Sequence, residues 1–259
     1  MTVPRGAPVY RELKPEDHRR MLQVGDDEIP DVLLLIGLFN VHEGAERWGG
    51  YAGATQYYNG IPHYRGQFGD LRVAVAAAFG GPMAALHVHA WCAAGVPLVV
   101  QLGYYGALQG GTNLGDVVVP RHAERQEGVS DWYLPKGILA DASDDVADAI
   151  AGCLYERGMV VNRHAIYSTP AILAESREVI ADWSRHGYHG VDMETAATFS
   201  VAKSLGAKRA AALIRLDDLI TEEHSLADPM RKEWRAFVRE REREVVLAVL
   251  EAVVGLRRT

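Results

Sequence analysis

Residues 187–221 have the sequence GYHGVDMETAATFSVAKSLGAKRAAALIRLDDLIT, and this stretch decides the predicted fold. Its pattern predicts a short strand, a helix of small residues and a second, buried strand. The Asp192 carboxylate can accept hydrogen bonds from the free N–H groups of a first helical turn, and Gly206 is a typical helix end. The nearly continuous apolar run over 210–216 predicts a strand covered on both faces, and Asp217 follows at its carboxyl end. Ligands of open α/β folds collect at that end of the sheet.

Strand and helix patterns alternate along the rest of the chain. This alternation predicts one α/β domain over residues 31–259, with a mixed, mostly parallel central sheet flanked by helices. Residues 1–30 lack a sustained period and suit an N-terminal arm over the surface or a neighbouring subunit. The predicted strands include 31–37, 71–78, 96–103 and 159–168. The predicted helices include 82–94, 144–157, 171–186 and 229 to about 254. Two irregular segments are also predicted, a site loop at 38–46 and a hairpin tip at 60–69.

Composition and charge exclude several classes of protein. The 259 residues are 48% hydrophobic, enough to bury a full core, and the formal net charge is −7. The densest charge run, 239–244, alternates Arg and Glu, which indicates a solvated helix face rather than a nucleic-acid-binding surface. Cys92 and Cys153 each lie in an apolar helical context, which favours buried free thiols over a disulfide. Because no signal core and no apolar run of about 18 residues occur, we expect a cytoplasmic protein.

Residues 191–197, Val-Asp-Met-Glu-Thr-Ala-Ala, resemble the Val-Glu-Met-Glu-x-Ala signature of the nucleoside phosphorylase and nucleosidase superfamily. That superfamily includes hexameric purine nucleoside phosphorylases, uridine phosphorylases and methylthioadenosine/S-adenosylhomocysteine nucleosidases. The resemblance extends from about residue 31 to the C-terminal helix and implies the single-domain, three-layer fold of the superfamily. It also implies that Met193 and Glu194 hold the ribose, with Glu194 accepting hydrogen bonds from the sugar hydroxyls.

Three further residues are candidates for substrate binding near this signature. Asp192 directly precedes the Met-Glu pair. Gly37 closes the first predicted strand, where the absence of a side chain lets a substrate approach the backbone. Phe79 opens a Gly-rich turn, Phe-Gly-Gly-Pro, which leads into the helix predicted over 82–94.

The positions at which related phosphorylases hold phosphate lack positive charge here. Those phosphorylases typically show Arg-Val-Gly followed by Ser or Thr, whereas this chain has Gln101, Gly103 and Tyr104 at the corresponding places. The other two arginine positions carry Val41 and Asn59. Because arginine usually holds phosphate through charge-assisted, bidentate contacts, the pattern favours hydrolysis over phosphorolysis. Tyr104 could fill the phosphate space or reach a 5′ substituent of the substrate.

Hydrolysis requires a group that activates water. The related nucleosidases place a glutamate in the loop after the first strand, and here His42 aligns best with it while Glu43 is one residue away. A histidine near its unperturbed pKa of about 6.5, or a buried glutamate, can accept a proton from water at neutral pH. Both residues are candidates for the general base, beside the simpler interpretation that they are solvated loop residues.

Asp217 resembles the strand-end aspartate that protonates or hydrogen-bonds N7 of a departing purine in the superfamily. Departure of a purine leaves negative charge on its imidazole ring, which a nearby acid can neutralise. The usual Ser-Asp is Leu-Asp here, and Asp218 follows as a competitor for the role. Glu175 and Arg177 stand near the Gln-x-Arg that recognises uracil in uridine phosphorylases, but on a predicted helix they are more simply solvent charges. Ile172 lies near the position of an aromatic residue that stacks on the base in purine-specific members.

The sequence therefore predicts an enzyme that hydrolyses the N-glycosidic bond of a nucleoside to free base and sugar. The presence of Asp217 favours a purine-type nucleoside. The alternatives are phosphorolysis with an altered phosphate site and a nucleoside-binding protein without catalytic activity. No metal or organic cofactor is expected, because His87 and His89 lie two apart on a predicted helix and face different directions. We expect a small-molecule nucleoside as partner, no nucleic acid, no membrane, and a homo-oligomer with residues 59–64 near an interface.

Overall fold

The computed structural model describes residues 9–221 and 231–258. In this part of the chain twelve strands form one mixed sheet with helices on both faces, as expected. The strands are β1 (Val32–Gly37), β2 (Ala54–Tyr58), β3 (His63–Phe68), β4 (Leu71–Ala78), β5 (Leu98–Ala107), β6 (Val117–Val118), β7 (His122–Arg125), β8 (Ala140–Asp141), β9 (Val161–Asn162), β10 (Ile166–Ser168), β11 (Gly190–Asp192) and β12 (Lys208–Asp218). The helices are α1 (Pro15–Met21), α2 (Val41–Tyr51), α3 (Gly81–Ala94), α4 (Asp144–Glu156), α5 (Arg177–Arg185), α6 (Thr195–Ser204) and α7 (Arg231–Leu256).

The centre of the sheet is parallel and consists of β4, β1, β5 and β12 in that order. These strands are apolar runs rather than alternating patterns because helices cover them on both faces. Antiparallel pairs lie outside this centre, between β2, β3 and β4 on one side and between β5 and β11 on the other. The parallel register brings the carboxyl ends of β1, β5 and β12 together at one edge of the sheet.

Two hydrophobic clusters form the main core, one on each face of the sheet. The larger cluster joins β-strand residues to α2, α4 and α7, with Trp48 of α2 completely buried. The smaller cluster joins the opposite face to α3 and α6, with Trp91 of α3 completely buried. The helices therefore form two outer layers around the central sheet, which confirms the predicted three-layer α/β fold.

The N-terminal segment covers part of the smaller cluster. Helix α1 packs against α3, and Leu22, which follows α1, is completely buried. The segment lies over the surface as expected, but at Leu22 it also contributes to the core, which the lack of a sustained sequence period did not indicate. The proposed division of the chain at residues 30 and 31 stays a prediction.

Local sequence signals place several helix ends where they were predicted. Pro82 occupies the first turn of α3, where its missing N–H costs no hydrogen bond, and Gly95 ends the helix with a φ of 119°. The strand predicted over 71–78 is β4, and the helix predicted over 144–157 is α4, one residue shorter. The closing helix extends two residues beyond the predicted end, and its predicted start at Pro229 lies outside the described residues.

The expectation of a loop over residues 38–46 is wrong, because α2 begins within it. The Asn40 side chain accepts a hydrogen bond from the Glu43 backbone N–H at 3.4 Å and donates one to the Glu43 carboxylate at 2.8 Å. This reciprocal pair caps the helix. His42 and Glu43 are therefore in the first turn of a helix rather than in a flexible loop.

Three other boundaries differ from the sequence expectation. His63 lies in β3 instead of a hairpin tip, and its buried ring stacks on Tyr58 at 5.0 Å. The strand expected over 159–168 is divided into β9 and β10. The helix expected over 171–186 begins only at α5, because the Ser176 side chain accepts a hydrogen bond from the Val179 N–H at 3.3 Å and caps it there.

Both cysteines are free thiols, as predicted, but each is half-buried rather than fully buried. Burial raises the pKa of Cys92 to about 12. Over residues 9–221 and 231–258, the structure has no helix with the length and apolar character needed to cross a bilayer.

Candidate active site

A cavity of about 490 Å³ opens where the carboxyl ends of β1, β5 and β12 meet. Its wall comes from the segment after β1, the turn before α3, the connection from β11 to α6, the end of β12 and one side of α7. Three groups of polar side chains line it: a buried glutamate, a pair of carboxylates and a set of arginines. This is the edge of the sheet at which the sequence predicted the site.

Glu194 is the buried glutamate, with 5% of its surface exposed. The Gly80 N–H donates a hydrogen bond of 2.6 Å to its Oε1 atom. Burial raises the pKa of Glu194 to about 8, and the negative charge of Asp192 adds to the increase. At neutral pH the carboxyl group is therefore mostly protonated. In that form it can both donate a hydrogen bond to and accept one from a pair of sugar hydroxyls.

Met193 and two aromatic rings surround the same part of the cavity. Met193 is half-buried, and the ring centroids of Phe39 and Phe79 lie 4.8 Å apart at the cavity wall. Both rings are partly exposed, with 52% and 40% of their surfaces accessible. The structure thus brings Phe79 to the site as predicted and adds Phe39, which the sequence analysis did not single out.

Two glycines keep the space around Glu194 open. A Cβ atom on Gly37 would lie 2.6 Å from Oε2 of Glu194, closer than any real contact. A Cβ atom on Gly103 would lie 2.5 Å from the Gly37 carbonyl oxygen, and the φ of 144° at Gly103 also favours glycine. Gly37 lines the cavity, whereas Gly103 supports Gly37 from the neighbouring strand.

Asp192 lines the cavity and is at the same time a nearly buried hydrogen-bond centre. It accepts hydrogen bonds from Gln101 Nε2 at 2.9 Å, Ser168 Oγ at 2.6 Å, and the N–H and Oγ1 of Thr195 at 2.9 and 2.6 Å. The bonds from Thr195 confirm that Asp192 caps the first turn of α6. Although burial raises the pKa of Asp192, these donors oppose the increase. Gln101, expected to contact substrate, instead ties β5 to the connection that carries Glu194.

Asp217 lines the cavity at the end of β12, as predicted. Its possible competitor Asp218 is engaged elsewhere. Asp218 is buried, forms an ion pair of 2.6 Å with Arg215, and accepts hydrogen bonds from the N–H groups of Ile220 and Thr221 at 2.9 Å. The structure therefore separates the two aspartates, since Asp218 holds the turn after β12 while Asp217 faces the cavity.

The interpretation of Glu175 and Arg177 as solvent charges is wrong for Glu175, whereas Arg177 is exposed as expected. Because α5 begins only at Arg177, Glu175 precedes the helix and lines the cavity. Its Oε1 atom is buried without a hydrogen-bond partner. Burial and the negative charge of Asp217 raise the pKa of Glu175 to about 7. At neutral pH the Glu175 carboxyl group is therefore protonated in about half of the molecules, while Ile172 provides an apolar wall beside it.

A set of arginines that the sequence analysis missed also lines the cavity. Arg47 comes from α2, and Arg235 and Arg239 come from α7. The three family positions lack positive charge, but three other arginines line the cavity, so the empty positions do not exclude a phosphate site. On a helix, only the tertiary packing determines which arginines face a cavity, so spacing alone could not identify them.

The structure separates the two candidates for a general base. The His42 side chain is exposed and is not part of the cavity wall; its ring meets the edge of Tyr57 at 5.9 Å. Glu43 does line the cavity, but its carboxylate accepts a hydrogen bond from Asn40 and lies 3.7 Å from Arg47. The structure thus does not bring His42 to the cavity, and Glu43 is held by two neighbours.

Tyr104 and Tyr105 lie on different sides of β5. The Tyr104 hydroxyl donates a short hydrogen bond to Glu242 of α7. The Tyr105 hydroxyl lies 3.5 Å from His189 Nε2. Both tyrosines line the cavity, so the expectation that Tyr104 lies at the site agrees with its position.

Comparison with solved structures shows the same fold. Uridine phosphorylase from Vibrio fischeri, solved alone and with 6-hydroxy-1-naphthoic acid, superposes with a TM-score of 0.78 at 19% sequence identity. In the complex with that acid, the match covers 90% of this chain and 94% of the uridine phosphorylase chain. At this identity the likeness establishes the architecture rather than the substrate.

Sequence comparison finds relatives with named activities. A guanosine phosphorylase from Halorubrum lacusprofundi is 30% identical over 148 residues, which are 57% of this chain and 61% of that protein. A DeoD-type purine nucleoside phosphorylase from a Geobacillus species is 23% identical over 191 residues, which are 72% of this chain and 81% of that protein. The family model described as the phosphorylase superfamily matches residues 40–254. Since this match covers most of the chain, including the three groups of polar side chains in the cavity, the chain belongs to the phosphorylase superfamily.

Proposed function

We propose that this protein cleaves the N-glycosidic bond of a purine-type nucleoside by phosphorolysis, giving free base and pentose 1-phosphate. The observation that carries the proposal is one cavity that combines buried Glu194, the Asp217 and Glu175 carboxyl pair, and three arginines. The named relatives of the chain, a guanosine phosphorylase and a purine nucleoside phosphorylase, support the same reaction.

Phosphorolysis fits the cavity better than hydrolysis, which the sequence pattern favoured. A hydrolase needs a group free to take a proton from water, and the two candidates for that role are poorly placed. His42 is outside the cavity wall, and the Glu43 carboxylate is already bound by Asn40. Phosphate dianion, in contrast, is itself a nucleophile and needs cations that hold it, which the arginines provide.

In the proposed mechanism, Glu194 and Met193 hold the pentose. A phosphate oxygen forms a bond to C1′ as the bond from C1′ to the base nitrogen breaks, and the bonding electron pair moves to the base. The proton carried by Glu175 in its protonated form transfers by way of Asp217 to the purine, where it neutralises the developing charge. Preorganised carboxyl groups in a partly closed cavity stabilise that charge at little reorganisation cost. No metal or cofactor is required for these steps.

The direct test is an incubation with guanosine, inosine, adenosine and uridine at several phosphate concentrations, including none. Base release is followed by chromatography and the sugar product by mass spectrometry. We expect release of purine bases that is saturable in phosphate, with pentose 1-phosphate as the product. Free pentose formed at a rate independent of phosphate would show hydrolysis and overturn the proposal.

Two variants relate the observed activity to the site. Glu194→Ala removes the group proposed to bind the sugar hydroxyls and should abolish measurable turnover. Glu43→Gln removes a carboxylate that lines the cavity but has no role in phosphorolysis, so it should keep most of the activity. If Glu43→Gln instead abolishes turnover and Glu194→Ala does not, the assignment of roles is wrong.

The proposed partner is a small-molecule nucleoside, and the proposed assembly is a homo-oligomer, because phosphorylases of this superfamily usually oligomerise. Exposed apolar side chains on α3, Met83 and Leu86, with 38% and 52% of their surfaces accessible, give one face that an identical subunit can cover. Sedimentation analysis across a range of concentrations tests this, and a monomer at every concentration would contradict it.

A further inference from the structure

The arginines of the cavity differ in their ionic partners. Arg47 is paired: its Nε atom lies 2.8 Å from Oε2 of Glu242, a side chain with only 1% of its surface exposed. Arg47 donates a second hydrogen bond to this carboxylate at 3.4 Å, and Tyr104 donates a third. Arg47 and Glu242 therefore neutralise each other, and Tyr104 completes the hydrogen bonding of the buried acid.

The positive charges of Arg235 and Arg239 are not neutralised by a carboxylate in this way. Within residues 9–221 and 231–258, neither guanidinium forms an ion pair or a hydrogen bond. The guanidinium carbon of Arg235 lies 5.8 Å from the ring centroid of Tyr104. The two arginines are four residues apart on α7, which places them on the same side of the helix, where like charges repel each other. Two unpaired cations that face one cavity match the two charges of a phosphate dianion.

The strand register places this pair of arginines beside the proposed sugar site. Gly37 pairs with Gly103 across β1 and β5, and Glu194 lies directly over Gly37. Tyr104 follows Gly103, lines the cavity and meets Arg235. A phosphate group held by the two arginines next to Tyr104 would thus border the pentose rather than lie on a separate surface.

We propose that Arg235 and Arg239 of α7 form the binding site for the inorganic phosphate co-substrate, with Tyr104 and the Arg47–Glu242 pair as its wall. This site replaces the positions occupied by Gln101, Val41 and Asn59, and it rests on the phosphorolysis proposed above. Guanidinium groups at i and i+4 can each donate two hydrogen bonds to phosphate oxygens. One oxygen of the bound phosphate would face C1′ of the pentose.

The test uses three variants of the complete protein. Arg235→Gln and Arg239→Gln remove one cation each. Arg241→Gln makes the same change on the other side of α7, where Arg241 lies 5.3 Å from the Phe237 ring and does not line the cavity. Each variant is compared with wild type for its thermal transition, the KM for inorganic phosphate, the KM for the nucleoside, and phosphate binding by calorimetry.

We expect each cavity variant to raise the KM and the dissociation constant for phosphate by at least about tenfold, or about 1.4 kcal/mol, with little change in the KM for the nucleoside. Arg241→Gln should match wild type. If wild type requires phosphate but the cavity variants keep its phosphate affinity, the location is wrong while the proposed function stands. If wild type releases free pentose without phosphate, the proposed function fails and this site fails with it.

A phosphate group could also reach this site as part of a nucleoside 5′-monophosphate. The same three variants are therefore assayed with guanosine 5′-monophosphate as substrate. We expect it to be cleaved no better than guanosine by wild type. If wild type prefers the monophosphate, and both cavity variants lose that preference without a change in the KM for inorganic phosphate, the arginines bind the substrate and the proposal is overturned.

Discussion

Replacing Glu194 by glutamine should make the protein more resistant to unfolding at pH 8 than wild type. Glutamine keeps the shape of the side chain and the oxygen that accepts the Gly80 hydrogen bond, but it has no proton to lose. In wild type, burial raises the pKa of Glu194 from 4.5 to about 8. Between these two values the folded protein holds a proton that the unfolded chain has released. Because the folded state binds more protons there, its free energy of unfolding falls as the pH rises.

The size of the effect follows from the difference between the two pKa values. One pKa unit corresponds to about 1.4 kcal/mol, so an increase from 4.5 to about 8 corresponds to at most about 5 kcal/mol. About 3 kcal/mol of this should develop between pH 5 and pH 8. The substitution removes that dependence while the remaining titrating groups stay the same in both proteins.

The assay is urea denaturation of wild type, Glu194→Gln and Glu240→Gln at four pH values from 5 to 8, without nucleoside or phosphate, because bound ligand would add its own stabilisation. Glu240 is exposed on α7 and is the matched control. The free energy of unfolding of Glu194→Gln minus that of wild type should increase by about 3 kcal/mol over this range, while the control difference stays constant. A Glu194→Gln difference that also stays constant would refute the claim that Glu194 is a protonated, buried acid.

Three further substitutions have defined expectations. Gly103→Ala should lower the melting temperature by several degrees, since its Cβ would lie 2.5 Å from the Gly37 carbonyl oxygen at a φ of 144°; an unchanged melting curve would contradict this. Arg215→Met should cost about 3–5 kcal/mol in urea denaturation, because Asp218 would stay buried without its partner, and adding Asp218→Asn should recover part of the loss. Asp217→Asn should reduce kcat for purine nucleosides by about 10²–10⁴-fold with an unchanged melting temperature, whereas wild-type kcat would remove Asp217 from the mechanism.

The sequence was sufficient for the fold because its strongest signals are local. Apolar runs specify the parallel strands, and small motifs such as Gly-Gly-Pro before α3 and Asp192 before α6 specify helix starts. The end of the last predicted strand indicated Asp217 as a site residue, whereas Glu194 was identified from the resemblance to the superfamily signature. Boundaries were less accurate where a single polar side chain decides them, as with Asn40 before α2 and Ser176 before α5.

Those boundary errors account for the main errors about the site. A helix that begins at Arg177 rather than at residue 171 changes Glu175 from a surface charge into a cavity residue. A helix that begins at Val41 turns His42 away from the cavity. The arginines of α7 were missed for another reason, since they reach the site only through long-range packing that one sequence does not encode in its spacing.

The proposed recognition of the sugar and of the base depends on parts of the protein that are held very differently. Glu194 is fixed by the buried hydrogen bonds around Asp192, which join β5, β10 and α6. Glu175 lies in a short connection that is held by one helical turn at Ile172–Ala174 and by the Ser176 cap of α5. Evolution can therefore change that connection, and with it the preferred base, without disturbing the bond-breaking machinery. The architecture thus separates the sugar-binding residues around Glu194 from the connection that carries Glu175. The sequences of related chains should therefore diverge first around residues 170–177.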